Sequence, residues 1–394
     1  MNTPQVIYDF LISSLGKEVL KEVNHIGEIA HFSPPQMTLL SRKKLKNIDA
    51  TLLNICIEIS CCREKLKQEY PWAIEGFFTQ QGVEQKTSLH ISEHHAQGFS
   101  GCSKLCEIGT GLGFDTQSFS KKVKNVVSFD TDLLTVLFAR HNLSVQGINN
   151  VEVIHGDGCT EDLSSYDSLF SDPSRRTNNG ERIKDPEKYS PPLSVVIAKA
   201  ESKIFGIKVS PIVIPPKNFS GALEWIGDSD DLKELVLWGG RGIFKQVTIP
   251  GQSFSYTQGA EKPKYLSEIP EPPFFLVEPH ASIIGSILYP YFFATKGIST
   301  FESGVAYGVS IDEIVSAPYW KRFRIEEVMP LRVPDIIKRA QSLDLGRESE
   351  VKKRGIEIDP NEIQKKLSKN GKNKKVLFLT RFGEKKVCLI GERI

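Results

Sequence analysis

Residues 104 to 114 read KLCEIGTGLGF, an apolar run that passes through Glu107 and then breaks into glycines at 109, 111 and 113. A short apolar run bounded by turn residues predicts a buried strand, and the following DTQSFSKKV predicts a helix. The glycines therefore sit at a strand-turn-helix corner, where backbone amides at a helix start can approach an anionic ligand closely. A dinucleotide loop places its third glycine at 114, where this chain has Phe114; the spacing here is GxGxG. The corner predicts an adenosine ligand other than NAD, with a plain tight turn as the bland alternative.

Working outward, acids recur at the ends of successive β-rich runs. NVVSFD closes on Asp130, 21 positions after Gly109, where an acidic side chain can accept both ribose hydroxyls. VEVIHGDGC puts Asp157 beside glycine, placed to receive an adenine amino group. SLFSDP ends on Asp172 and Pro173. With IFGIKVSP, ALEWIG and FKQVTIP, these runs alternate with helical stretches, and five to seven strands fit one doubly wound α/β sheet with helices on both faces. The acids then share the edge where open α/β sheets bind ligands.

The chain of 394 residues is 40% hydrophobic and 25% charged, ordinary globular values. The N-terminus lacks a basic leader and a cleavage site, and no apolar run approaches the ~20 residues that span a bilayer, so a cytoplasmic protein with no membrane partner is expected. Seven cysteines without CxxC spacing predict reduced, mostly buried thiols. His90 and His94 match an HxxEH pattern, but no third ligand accompanies them and no metal is expected.

The expected domains are a helical region over 1–98, the sheet domain over 99–250, a Pro/Gly/Ser-rich linker over 251–273, a small α/β connecting domain over 274–334 and a small basic α+β domain over 335–394. Lys352 to Ile394 carries 13 basic and 5 acidic residues, +8, while the whole chain is only +2. Such a concentration is the footprint of a phosphate-backbone binder or a merely solvated face. KKVLFLTRF and KKVCLIGE around Gly383 and Glu384 read as a hairpin.

EIGTGLG, the acid of SFDTD, the HGDG step and SDPSRR, in this order, resemble the successive motifs of class I S-adenosylmethionine-dependent methyltransferases. The resemblance implies a Rossmann-like seven-stranded sheet with an antiparallel last strand. It also implies S-adenosylmethionine as cofactor, with Glu107, Gly109, Gly111 and Gly113 around its methionine and ribose, Asp130 on the ribose and Asp157 on the adenine. GFFTQQGVEQKTS (76–88), KVSP (208–211) and KKRGIEIDPNEIQKKL (352–367) are similar to a bacterial group with N-terminal helices and a C-terminal THUMP-like domain, which implies an RNA partner.

Asp172 and Pro173 stand where amine methyltransferases carry Asp/Asn-Pro-Pro-Tyr/Phe, whose carboxylate or amide and proline carbonyl orient the target amine. Ser174 and Arg175 replace the second proline and the aromatic, so the usual stacking platform is missing. The catalytic expectation is therefore Asp172 with Pro173. Substrate contacts are expected from Ser174, Arg175, Arg176 and Lys208, and RNA phosphate contacts from Lys352, Lys353 and Arg354; for Lys208 a structural salt bridge is an equal reading. The expected function is methyl transfer to a tRNA or rRNA base. A cofactor-binding RNA module without transfer activity, and a protein or small-molecule methyltransferase, remain alternatives.

Overall fold

The computed structural model describes residues 3–177, 180–229 and 231–394. They form two units: Met1–Leu223 with Leu235–Ile243, and Glu224–Glu234 with Phe244–Ile394.

The first unit opens with helices α1 (Pro4–Ile12), α2 (Ser14–Ile29), α3 (Pro34–Lys44) and α4 (Ala50–Leu66). Thr3, Ser13 and Asp49 cap three of them by accepting first-turn amides, and α1 and α3 start on prolines that need no N–H partner there. In α2, Val19, Leu20, Val23 and Ile26 recur at helical spacing and are all buried. Short helices α5 (Gln80–Gln85) and α6 (Leu89–Gln97) lead to the sheet. One apolar cluster joins these helices to Leu112, Phe114 and Phe138 of the sheet region, so residues 1–98 are not a separate domain. Their apolar faces pack on one another and on the residues that follow the glycine corner.

Next come β1 (Lys104–Ile108), α7 (Thr116–Ser120), β2 (Asn125–Asp130), α8 (Leu133–Val145), β3 (Val151–His155), β4 (Ser168–Ser171), α9 (Leu193–Lys199), β5 (Ile204–Val209), β6 (Ala222–Asp228), β7 (Asp231–Gly239), β8 (Lys245–Ile249) and β9 (Phe254–Thr257). Their order is β3-β2-β1-β4-β5-β7-β6-β8-β9; β1 to β5 pair in parallel and β7 runs antiparallel to β5. The α/β doubly wound class holds, with nine strands in place of seven. β7 is the strand missing from the sequence reading, because the charged start DLKE hides the buried run LVLW. FKQVTIP, read as the seventh strand, is β8 beyond β6, and the expected linker contains β9 paired with it.

In the second unit a further sheet follows: β10 (Phe274–Pro279), α10 (Ala281–Gly285), α11 (Tyr289–Thr295), β11 (Ser299–Glu302), β12 (Val305–Ser310), β13 (Trp320–Pro330), α12 (Val333–Ser342), β14 (Glu350–Lys353), α13 (Pro360–Gln364), β15 (Val376–Phe382) and β16 (Lys385–Arg393). The order is β11-β12-β10-β13-β16-β15-β14, with β15 and β16 forming the expected hairpin. β16 lies between β13 and β15, so the segments expected as separate domains over 274–334 and 335–394 share one sheet. Both faces of this sheet are covered: Val376 and Phe378 enter one apolar cluster, while Leu377 and Leu379 enter the other.

Candidate active site

Strand order reverses between β1 and β4, and the glycine corner and Asp172 meet there. The amides of Gly109 and Thr110 donate to the carbonyl of Phe129 at 2.8 and 3.1 Å, and Asp172 N donates to Ile108 O at 3.0 Å. Gly109 has φ +96°, and a Cβ there would fall 2.5 Å from the Asp172 carbonyl oxygen. Only glycine permits this contact of the two strand ends. At Gly111, with φ +54°, an added Cβ would meet no heavy atom within 4 Å, which leaves an open backbone cradle.

Asp130 borders that cradle: its Oδ2 accepts from Gly111 N at 2.9 Å and its Oδ1 from Asp132 N at 3.0 Å. Burial raises its pKa above the ordinary carboxylate value, opposed by those amide bonds. Each oxygen keeps a lone pair for a further donor. Asp157, after β3, is exposed, with Oδ1 accepting from Cys159 N at 2.9 Å. Glu107 is placed differently from the rest of the set. Its side chain is buried, and Oε2 accepts from Thr116 Oγ1 at 2.7 Å and Ser128 Oγ at 2.6 Å, tying β1 to α7 and β2. Burial, with smaller repulsion from Asp115 and Asp172, pushes its carboxyl up to about 8 against those two hydrogen bonds.

Below Asp172 lies a chain of buried polar groups. Lys208 on β5 donates through Nζ to Asp172 Oδ2 at 2.7 Å and to Thr87 Oγ1 at 2.8 Å, and lies 3.5 Å from Asp115 Oδ2. Thr87 Oγ1 donates to Asp115 Oδ2 at 2.6 Å, and His95 Nδ1 meets Asp115 Oδ1 at 3.1 Å. Burial works to raise the Asp115 carboxyl, but Lys208, then His95 and Thr87, outweigh it and hold it well below the usual range. Of the two readings of Lys208, the structure shows the salt bridge: the side chain is buried and pairs with Asp172. Thr87, His95 and Asp115 went unread in the sequence. Nothing in a lone threonine, a histidine beside the discounted His94 or an acid opening a helix marks them as neighbours.

Pro173 is buried, Ser174 and Arg176 are exposed and Arg175 is half-buried. Ser174 N donates to Ser190 O at 2.8 Å and Ser190 N to Ser174 O at 3.1 Å, while Arg176 bridges Arg182. The chain after Asp172 thus leaves β4 as a fold-back that keeps the arginines at the same edge.

The C-terminal relationship is carried by a family profile described as THUMP domain-like, which matches residues 320–393. An uncharacterized S-adenosylmethionine-dependent methyltransferase of Mycobacterium tuberculosis, found in strains CDC 1551 / Oshkosh and ATCC 25618 / H37Rv, is 24% identical over 321 residues, 78% of this chain and 85% of the relative. The chain is a homologue of these methyltransferases. A crystal structure from Porphyromonas gingivalis W83, provisionally assigned as a methyltransferase, superposes with a TM-score of 0.71 at 17% identity, covering 96% of this chain and 98% of that one, a likeness of fold.

In this methyltransferase homologue the cations expected to face phosphates are largely paired. Lys352 and Arg354 both bind Glu278, Arg354 at 3.2 Å, and Arg354 Nη1 donates to Ala306 O at 2.7 Å. Lys374 pairs with Glu348, and Lys375 with Glu326 and Glu392 at 2.7 and 3.0 Å. Lys353 is exposed. Glu278, His280, Trp320, Lys321, Lys352 and Arg354 line a cavity of about 210 Å³ in the second unit. No helix of the described residues is long and apolar enough to cross a membrane.

Proposed function

We propose that this protein transfers the methyl group of S-adenosylmethionine to RNA. The observation that carries the transfer reading is the meeting of Gly109 with Asp172 beside an open cradle at Gly111 and a carboxylate at Asp130. The cradle fits the methionine and ribose portion, since no heavy atom opposes a Cβ built at Gly111, and Asp130 at its border retains acceptor capacity for ribose hydroxyls. Asp157 is exposed to receive an adenine amino group. When bound, the cofactor supplies an electrophilic methyl group, so the chain has to align a nucleophile and take up a proton.

Asp172, with its side chain 28% exposed, is the acceptor-facing carboxylate. The RNA assignment is supported by the THUMP domain-like match over residues 320–393, with the exposed Lys353 on the same segment. Arg175 and Arg176, at the edge where Asp172 emerges, are suited to phosphates or to stacking through the guanidinium plane.

Incubation with labelled cofactor and total RNA from cells lacking the gene tests the reading, followed by mass spectrometry of the modified nucleosides. Label in RNA that disappears with Asp172→Ala supports it. RNA binding with no label under any condition favours the second reading, a cofactor-binding RNA module, to which Ser174 and Arg175 point. Label in protein or small molecules but not in RNA overturns the acceptor.

A further inference from the structure

Resting on the methyl-transfer reading, we propose that Lys208 is the positioning residue of the reaction. With Asp115 as its permanent counter-ion, anchored by Thr87 and His95, it holds Asp172 in place as proton acceptor and lets that carboxylate change charge without stranding a buried cation.

The geometry supplies the reason. Lys208 is 3% exposed, and a buried ammonium is strongly disfavoured without an anionic partner. Were Asp172 its sole partner, each protonation of Asp172 would leave the ammonium without a countercharge. Asp115, 3.5 Å away, removes that obstacle. The two carboxylates do not exchange roles. Asp115 is buried, and its oxygens are engaged by Thr87 and His95, whereas Asp172 is the partly exposed end of the chain.

The groups facing this network from the packed elements include Tyr70, Thr87 and His95 from the N-terminal region, Glu107 from β1 and Asp115 before α7, with the Tyr70 hydroxyl donating to the Thr87 carbonyl. Glu107, pushed up to about 8, is mainly protonated near neutral pH and adds no third anion. The N-terminal region thereby gains a role: it completes the charge network from which Asp172 projects.

In the step itself, the acceptor lone pair bonds to the methyl carbon while the carbon–sulfur pair returns to sulfur. The acceptor's proton goes to Asp172 Oδ1, the oxygen not held by Lys208, and then to solvent. No oxidant or reductant is required.

The test follows S-adenosylhomocysteine release by the full chain supplied with extract of cells lacking the gene, with and without ribonuclease treatment, alongside calorimetric binding of S-adenosylmethionine. For Lys208→Met we expect turnover to fall about 100-fold, the scale of a general-base contribution, and cofactor affinity to stay within about twofold, as expected for a residue acting on proton transfer alone. The acid limb of the rate profile should move to higher pH, and Lys208→Arg should restore part of the rate. Thr87→Val, a milder change should the methionine variant fail to fold, should lower turnover several-fold with the same direction of shift.

An unaltered pH profile in an active variant, or turnover lost only in proportion to cofactor binding, overturns the proposal. Ribonuclease-insensitive wild-type turnover overturns the RNA acceptor but leaves the network test in force. A wild type inactive in both extracts overturns the transfer reading and this one with it.

Discussion

Replacing Gly109 and Gly111 separately with alanine should divide folding from cofactor binding. At Gly109 the residue stands at φ +96° and the new Cβ would lie 2.5 Å from the Asp172 carbonyl oxygen, which belongs to backbone fixed by the Asp172 to Ile108 hydrogen bond. Backbone strain of about 1–2 kcal/mol and overpacking of about 1–3 kcal/mol add to roughly 2–5 kcal/mol. In a unit of this size each kcal/mol lowers Tm by about 2–4 °C, so Gly109→Ala should lower it by about 4–20 °C. At Gly111 the φ of +54° is accessible to alanine for about 1–2 kcal/mol. No atom opposes the added Cβ, but the Cβ occupies the cradle, so a Tm loss of only about 2–8 °C should accompany a fall in S-adenosylmethionine affinity of about tenfold or more. Thermal unfolding followed by circular dichroism and calorimetric titration read the two effects. Equal Tm losses in the two variants, or wild-type affinity in Gly111→Ala, would refute the reasoning.

Three further outcomes are expected. The folded-state pKa of Glu107, raised to about 8 by burial, makes stability fall as pH rises from the ordinary carboxylate range through 8. Glu107→Gln keeps an acceptor for Thr116 and Ser128, so it should be near neutral at pH 5 and stabilising by at least about 1 kcal/mol at pH 8 in urea denaturation; parallel stability curves for the two proteins would contradict this. Asp130→Asn should weaken S-adenosylmethionine binding by about 10- to 100-fold, the worth of hydrogen bonds to a charged group, with Tm nearly unchanged; an unaltered dissociation constant would remove Asp130 from the ribose site. Alanine at Lys353 or Lys372 should reduce the log-log salt dependence of RNA binding by about 0.7 per residue on single strands, without altering cofactor affinity; an unchanged slope would mark those lysines as solvated surface.

The sheet edge that carries the candidate site was legible because its signals are local. Glycine spacing reports a backbone conformation, and the acids at 130, 157 and 172 each follow a strand whose apolar run can be read within a dozen residues. Lys208 was legible as a position, but its partners were not: Thr87 lies 121 residues away in sequence, and no periodicity encodes that meeting. The basic tail shows the same limit. Its excess charge is plain in the sequence, yet Glu278, 74 residues before Lys352, takes up two of its cations. β7 was lost for another reason, since its charged first half and apolar second half average to no pattern at all. The boundary drawn at 334 failed because β16 returns to pair with β13, a long-range register that only the folded sheet reveals.

The path of the chain through the two units has a consequence for how this protein can be taken apart or recombined. The first unit gives up the polypeptide after Leu223, recovers it at Leu235 and releases it again after Ile243. Neither unit is therefore encoded by one uninterrupted stretch of gene. A fragment beginning at Phe244 lacks the outer half of β6, beside which β8 is ordered, and exposes an unpaired strand edge of the kind that recruits other chains. A fragment ending at Ile243 carries eleven residues, 224–234, that belong to the other unit. Exchange of the second unit between relatives would require residues 224–234 to travel with it as a second cassette.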